Sequence, residues 1–337
     1  MSRIAIQGFG RVGRCTLRAA LKERTFTPAA IADVKDLPTL AALFAVDTNY
    51  GRWPEPVRAE GDVLRIGERA IPYHNVSAGL PDWGALGIDV VIESSGRATT
   101  RAGAQPHLDR GAKHVLVSAP SKSLEDCDAV LLPGINLEAF EPARHRIVSM
   151  GSCTTNALAP VVKIVREHWG IKQGFFTTVH AYTNSQSLTD QPKADRRDSW
   201  AAAENIIPSS SGAAKGLRFI WPDLRVTGKA CRVPVRTGSI VELVAVVERA
   251  TEREEVVEAF REAAGRPPLQ GVMDVLEEEW PSARIVGDPH SSIIDLPLAE
   301  VCEKTLITVT AWYDNEMGFS TQLARAAQAL ASASRAA

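Results

Sequence analysis

The residue whose type and setting most suggest chemistry is Cys153, in the run Ser149-Met150-Gly151-Ser152-Cys153-Thr154-Thr155-Asn156. That run separates a strand-like Ile147-Val148 from a helical stretch over about Ala157 to Trp169. A cysteine at such a junction meets the free N–H groups and positive dipole end of a helix, which favour thiolate over thiol and so a nucleophile for covalent catalysis. The usual fate of a free cysteine is to pack as a small hydrophobe. That is the reading for Cys15, Cys127, Cys231 and Cys302, whereas hydroxyl-rich neighbours set Cys153 apart. His180 ends the strand-like run Phe175-Phe176-Thr177-Thr178-Val179 and precedes a long polar stretch. The carboxyl end of a strand faces the crevice where ligands bind, and an imidazole there can serve as a base. Spacing leaves two readings open, a Cys153–His180 pair and a structural histidine.

A second motif speaks of a dinucleotide. Gly8-Phe9-Gly10-Arg11-Val12-Gly13 follows a strand-like Ile4-Ala5-Ile6 and opens a helix that runs to about Glu23. Gly8 permits the tight turn, Gly10 lets the backbone approach a pyrophosphate, and Gly13 allows close packing of the helix. The helix N-terminus then offers N–H groups to the phosphates. Asp33, 20 residues after Gly13, ends a second strand where an acid accepts from ribose hydroxyls and repels a 2′-phosphate, which favours NAD over NADP.

The elements that must position these residues change character along the chain. Up to about residue 150, short runs apolar throughout (Ile4–Ile6, Ala29–Ala32, Val90–Ile92, His114–Val117, Ile147-Val148) alternate with helical stretches, the pattern of strands buried on both faces of a parallel sheet. Beyond it, longer β-branched strands over 175–179, 239–247 and 306–312, with helices over 252–264 and 322–333, indicate a second, mixed sheet. The expected fold class is α/β: a Rossmann-type doubly wound parallel sheet plus a mixed-sheet α+β catalytic domain. The 337 residues suit two domains, and a net charge of −2 argues against coating nucleic acid or an acidic membrane. Five cysteines without a CxxC pair suggest neither a disulfide framework nor a metal site. The opening residues lead straight into a strand, so a cytoplasmic protein is expected.

Taken together, the motifs resemble the phosphorylating glyceraldehyde-3-phosphate dehydrogenases over essentially the whole length. The matching runs are Gly8 to Arg14, Ser118-Ala119-Pro120-Ser121, Ser152 to Asn156, Thr177 to Ala181, Asn205 to Pro208, Ser211 to Lys215, Arg232-Val233-Pro234 and Trp312 to Glu316. The resemblance implies that Cys153 attacks an aldehyde, that His180 takes the proton, and that inorganic phosphate releases a thioester as an acyl phosphate. It implies Thr183 and Arg232 at the substrate phosphate, and Ser152, Thr154, Ser211, Gly212 and the loop residue Arg197 at the attacking phosphate. For NAD it implies Arg11 and Val12 at the pyrophosphate, Asp33 at the ribose, Ser121 near the nicotinamide side and Asn315 at the carboxamide, with Pro192 accompanying NAD preference.

By the same resemblance residues 1–151 form the NAD-binding domain, joined by a C-terminal helix over 318–337. Residues 152–317 form the catalytic domain, with loop 182–205 at the subunit interface of a homotetramer. The partners expected are a small phosphorylated aldehyde and inorganic phosphate, with no metal, nucleic acid or membrane. Departures from the family pattern are Gln7, Met150-Gly151, Ala157, Trp200 and, above all, Val235-Arg236-Thr237-Gly238 beside Arg232. That segment leaves erythrose 4-phosphate or another acidic aldehyde as an alternative substrate. A catalytically silent relative that binds NAD or nucleic acid is the alternative of another class.

Overall fold

The computed structural model describes residues 2–121, 123 and 125–336, so the expected domain limits at Met1 and Ala337 fall outside the described residues. Contacts divide the chain into two compact units. The first comprises the chain up to Leu132, Asn136–Gly151 and the chain from Ser320; the second comprises Pro133–Ile135 and Ser152–Phe319.

The first unit contains β1 (Ile4–Gln7), α1 (Arg11–Glu23), β2 (Ala30–Asp33), α2 (Leu37–Ala45), a two-stranded ribbon β3 (Val46–Asp47) and β4 (Gly51–Arg52), β5 (Val57–Glu60), β6 (Val63–Ile66), β7 (Arg69–Asn75), β8 (Val90–Glu93), α3 (Arg101–Asp109), β9 (His114–Val117), β10 (Ala129–Val130) and β11 (Ile147–Ser149). Among the described residues nine of these strands form one sheet in the order β10-β11-β9-β8-β1-β2-β7-β6-β5. β1, β8 and β9 are buried along their whole length, the polar Gln7, Glu93 and His114 at their ends included, and their apolar runs suit a sheet covered on both faces. Pairing is parallel from β10 to β7. The chain runs from β1 outward to β2 on one side and later from β8 to β9 on the other. The topological switch therefore lies between β1 and β8, where open α/β sheets bind ligands.

The antiparallel edge β5-β6-β7 was not anticipated from sequence. Its strands alternate buried and exposed positions, the half-buried pattern that antiparallel pairing permits. The last helix, α7 (Met317–Ala336), enters this unit from Ser320 onward. It buries Leu323, Ala326, Ala327 and Leu330 on one face. Arg325 reaches Glu23 of α1 at 2.6 Å and Arg335 reaches the buried Asp89 at 2.6 Å.

The second unit contains α4 (Cys153–Trp169), β12 (Ile171–Ala181), β13 (Ile207–Ser210), α5 (Ala213–Ile220), β14 (Val226–Val233), β15 (Ser239–Val247), α6 (Arg253–Ala264), β16 (Met273–Leu276), β17 (Ser292–Asp295), β18 (Glu300–Cys302) and β19 (Leu306–Tyr313). Its sheet is mixed, ordered β13-β14-β12-β15-β19-β17-β16, with β18 on β19. α4 packs on β12, β15 and β19. The period of two along β12 sends Phe176, Thr178 and His180 inward and leaves Phe175 and Val179 exposed. That alternation delivers His180 to the buried face at the carboxyl end of its strand. No helix among the described residues is long and apolar enough to cross a membrane.

Candidate active site

α4 starts at Cys153 because its N-terminus is capped from both sides. The Ser152 hydroxyl accepts from the Thr155 amide at 3.0 Å, and the Thr155 hydroxyl accepts from the Ser152 amide at 3.3 Å, a reciprocal capping box. Gly151, just before it, has φ +67, a left-handed conformation that glycine adopts without strain, which accounts for glycine in the departing Met150-Gly151 pair. The cap presents Cys153 at the first helical position, with Sγ 3.3 Å from Nε2 of His180. Of the two readings of His180 that spacing left open, the structure brings imidazole and thiol together.

Arg232 completes the cluster by register. β14 runs parallel to β12 with Arg232 opposite His180. Its Nη1 lies 2.6 Å from His180 Nδ1 and donates to the Ala181 carbonyl at 3.1 Å. His180 Nδ1 also lies 2.7 Å from that carbonyl. One nitrogen cannot both donate to the carbonyl and accept from the guanidinium. A proton on Nδ1 satisfies Ala181 and turns the Nε2 lone pair toward the thiol, whereas donation by Arg232 puts the proton on Nε2. Whatever draws Arg232 away from His180 favours the first arrangement, in which Nε2 is the base.

His180 is buried, and Cys153 and Arg232 are half-buried. Burial pushes the Cys153 thiol up, against the pull of Arg232 and Thr154. Burial, and then the Arg232 charge, push His180 down to about 3, opposed by the Ala181 carbonyl. Both directions favour an uncharged thiol and imidazole in the ligand-free site. Burial and the helix N-terminus thus act on Cys153 in opposite directions. Tyr313, at the end of β19, sets its ring edge-on to His180 with centroids 5.8 Å apart. Its hydroxyl meets Thr154 at 3.0 Å and Thr178 at 2.8 Å. Sequence reading gave Tyr313 and Thr178 no role; their signal was position on the inward faces of β19 and β12.

The remaining expected anion residues sit on separate turns. Thr183 donates its amide to Gln186 at 3.2 Å and shares its hydroxyl with Ser185 at 3.1 Å. Arg197 is exposed and opens a short 3-10 turn, its amide bonded to Asp195 at 2.9 Å. Ser211 and Gly212 stand at the N-terminus of α5, where the Ser211 hydroxyl accepts from the Ala213 amide at 3.3 Å. Asn315 is buried and receives a hydrogen bond at 2.9 Å from Ser239, whose oxygen in turn accepts from the Ala181 amide at 3.1 Å. The departing segment divides in two: Thr237 is buried and donates to Asp314 at 2.8 Å, and Gly238 (φ +87) faces the Ser282 carbonyl, while Arg236 is exposed. Thr237, whose hydroxyl also lies 3.3 Å from Asn315 Oδ1, thus serves the frame that holds Asn315.

In the first unit the glycine loop is shaped by close approach. A Cβ on Gly8 (φ +85) would lie 2.4 Å from the Ser95 amide nitrogen, and one on Gly13 would lie 2.1 Å from the Gly8 carbonyl oxygen. A Cβ on Gly10 would meet nothing within 4 Å, so the open side of the loop is there, ahead of the first turn of α1 with Arg11 and Val12. Asp33 accepts from the Phe9 amide at 2.6 Å and from Lys35 at 3.0 Å, which ties the acid to the loop. Arg11 is ion-paired with the buried Asp47 and lies over the Tyr50 ring. Its charge is therefore balanced within the protein. The Ser121 hydroxyl donates to the Ser123 carbonyl at 2.6 Å. Gln7 is buried with its Oε1 unpartnered beside this loop. An open glycine cradle, an acid tethered to it and an orphaned polar atom fit a dinucleotide.

A glycine-loop unit at a topological switch and a unit that pairs a half-buried thiol with an imidazole and an arginine are the parts of a nucleotide-dependent dehydrogenase. Residues 2–101 match the family model for the glyceraldehyde 3-phosphate dehydrogenase NAD binding domain, and residues 152–315 match that for its C-terminal domain. A glyceraldehyde-3-phosphate dehydrogenase of Kitasatospora aureofaciens is 47% identical over 336 residues, covering 98% of this chain and 99% of the relative. Glyceraldehyde-3-phosphate dehydrogenase 1 of Streptomyces arenae is 44% identical over 325 residues (95% and 96%). The Geobacillus stearothermophilus enzyme is 40% identical over 333 residues (98% of each). The chain belongs to the glyceraldehyde-3-phosphate dehydrogenase family.

Proposed function

We propose that the protein oxidises glyceraldehyde 3-phosphate with NAD and inorganic phosphate to 1,3-bisphosphoglycerate. The observation that carries this reading is the contact at 3.3 Å between Cys153 Sγ and His180 Nε2, with Arg232 in register beside them. Cys153 adds to the aldehyde carbon, and its proton passes by way of His180 Nε2 to the carbonyl oxygen, giving a hemithioacetal and leaving His180 neutral; covalent attachment turns a poor hydride source into a good one. The substrate phosphate draws Arg232 from His180 Nδ1, since a guanidinium grips phosphate oxygens through several N–H groups at once. Gly8, Gly10, Gly13, Arg11, Val12, Asp33, Ser121 and Asn315 would hold NAD, which would supply the hydride acceptor. His180 takes the hydroxyl proton as the thioester forms, and the Cys153 amide with His180 stabilises the oxyanion. Inorganic phosphate, received by Ser152, Thr154, Ser211, Gly212 and Arg197, then attacks the thioester carbon, and the Cys153 thiolate leaves.

Residues 1–151 with the C-terminal helix would serve NAD, and residues 152–317 the chemistry. A cytoplasmic homotetramer is part of the same reading. Its support is apolar surface left uncovered on the second unit: Leu188 is 83% and Ile206 71% exposed, with Trp200, Phe175 and Val179 also open. Leu188 and Trp200 lie on loop 182–205, which hydrogen-bonds across itself, Gln191 to Ser199 at 2.8 Å and Ser187 to Asp198 at 2.9 Å. Product identification with and without phosphate tests the function. An acyl phosphate formed only with phosphate present is the expected result. Equal turnover without phosphate, or no turnover of either glyceraldehyde 3-phosphate or erythrose 4-phosphate, contradicts it.

A further inference from the structure

A chain of buried polar groups in the first unit has no part in the chemistry above. Trp83 is fully buried, and its indole N–H donates to His107 Nδ1 at 3.1 Å. His107 Nε2 lies 3.0 Å from Glu93 Oε2, both side chains being 2% exposed. Glu93 Oε1 accepts from the Ser95 amide at 2.7 Å and from the Ser95 hydroxyl. An indole N–H can only donate, so Nδ1 of His107 carries the lone pair and Nε2 carries the proton. His107 is thus locked as a neutral tautomer that donates to Glu93, and Glu93 receives three donors.

The chain ends at the dinucleotide loop. Glu93 is the last residue of β8, opposite Gln7 of β1 across the switch point. The two serines that follow are the residues against which the glycine loop rests. Ser94 donates its hydroxyl to the carbonyls of Gly8 at 2.7 Å and Gln7 at 3.0 Å, and the Ser95 amide is what a Cβ on Gly8 would strike. Glu93 fixes the Ser95 amide, which fixes how closely Gly8 approaches, and the Gly8 carbonyl in turn fixes the approach of Gly13.

We propose that Glu93 and His107 are positioning residues for the dinucleotide: the relay Trp83–His107–Glu93–Ser95 holds the turn after β8 that sets the shape of the glycine loop. This rests on the reading of that loop as the NAD site. Glu93→Gln tests it, because one face of the amide must donate. If the amide keeps its oxygen toward Ser95, its NH2 meets the His107 Nε2–H; accepting it would move the proton to Nδ1, against the Trp83 N–H. Turning the amide over sets its NH2 against the Ser95 amide. Either way two donors oppose each other in a buried site. Trp83→Phe removes the opposing N–H and frees the tautomer.

The expected result, read by calorimetric titration of the full-length protein with NAD and no aldehyde, is about tenfold weaker binding for Glu93→Gln. Trp83→Phe alone should stay within about threefold of wild type, and the double variant should recover to within about threefold of Trp83→Phe, a non-additivity that simple loss of packing would not produce. Iodoacetamide capture of Cys153 without NAD should be unchanged throughout. Wild-type NAD affinity in Glu93→Gln, or a double variant no better than Glu93→Gln, overturns the proposal. Should neither Glu93 variant fold, Ser95→Ala on the partly exposed turn decides: several-fold weaker NAD binding supports the relay and unchanged affinity overturns it. A wild-type protein that binds no NAD would overturn the dinucleotide reading, and this inference with it.

Discussion

The glycine loop and the thiol site are built by opposite means. Residues 8–13 are shaped through backbone: close approach at Gly8 and Gly13, open space at Gly10 and the amides of α1, with Asp33 accepting from the Phe9 amide. The thiol site works through side chains from three separate elements, Cys153 on α4, His180 on β12 and Arg232 on β14, whose protonation depends on one another and on burial. A backbone cradle tolerates any side chain that leaves its shape alone. A buried cluster of coupled groups tolerates almost none. Damage to the two sites should therefore separate: one set of variants loses chemistry and keeps the nucleotide, and the other does the reverse.

The largest effect is expected at Cys153. Cys153→Ser should lower turnover by about 10³-fold or more, because a serine hydroxyl in this site has no comparable nucleophilicity; NAD affinity by titration should stay within a few-fold. His180→Asn comes next, with a loss of about 10²–10⁴-fold in kcat, the range for removing a general base, again without loss of NAD.

His180 also carries a pH signature. Its value in the folded protein is depressed to about 3, while in the unfolded chain it is near the ordinary 6.5. Below 6.5 the unfolded chain takes up a proton that the folded one refuses, so stability is lost as pH falls from 6.5 toward 3. Melting temperatures at pH 7 and pH 5 should show a smaller acid penalty for His180→Asn than for wild type; equal penalties would mean that the imidazole is not desolvated.

On the other side of the comparison, Gly8→Ala forces a Cβ to 2.4 Å from the Ser95 amide at a left-handed φ. About 1–2 kcal/mol arises from the backbone conformation alone. NAD affinity should fall about tenfold or more, with capture of Cys153 by iodoacetamide preserved. The smallest effect belongs to Asp33→Ser, which removes the repulsion of a 2′-phosphate. The ratio of kcat/KM for NAD over NADP should fall by about tenfold, and an unchanged ratio would remove Asp33 from the ribose contact.

How much of this was legible in the sequence follows from the same contrast. Gly8, Gly10 and Gly13 lie within six residues, and their meaning is local, so spacing alone carried the cradle. The unbroken apolar runs carried the parallel sheet as well. The antiparallel edge over residues 57–75 was missed because its strands are short and half-exposed, with few apolar residues in a row. Cys153 was legible from its junction, but its contact with His180 depends on how β12 packs against α4, and that of Arg232 on the β12–β14 register. Tyr313, Thr178, Glu93 and His107 read as ordinary core or strand-end residues, since only folding shows which polar atoms face each other. The two opposing effects on the Cys153 thiol were unequally legible: the helix N-terminus is local and visible, whereas burial belongs to the whole unit.

The central claim is that Cys153 reacts covalently with the aldehyde and that the bound NAD takes up the hydride. Rapid mixing of the NAD-loaded protein with glyceraldehyde 3-phosphate in the absence of phosphate tests it most directly. The account predicts a burst of about one NADH per chain that then stalls at the thioester, no burst in Cys153→Ser, and NAD binding retained in both. A burst of the same size in Cys153→Ser, or steady turnover without phosphate in the wild type, would contradict it.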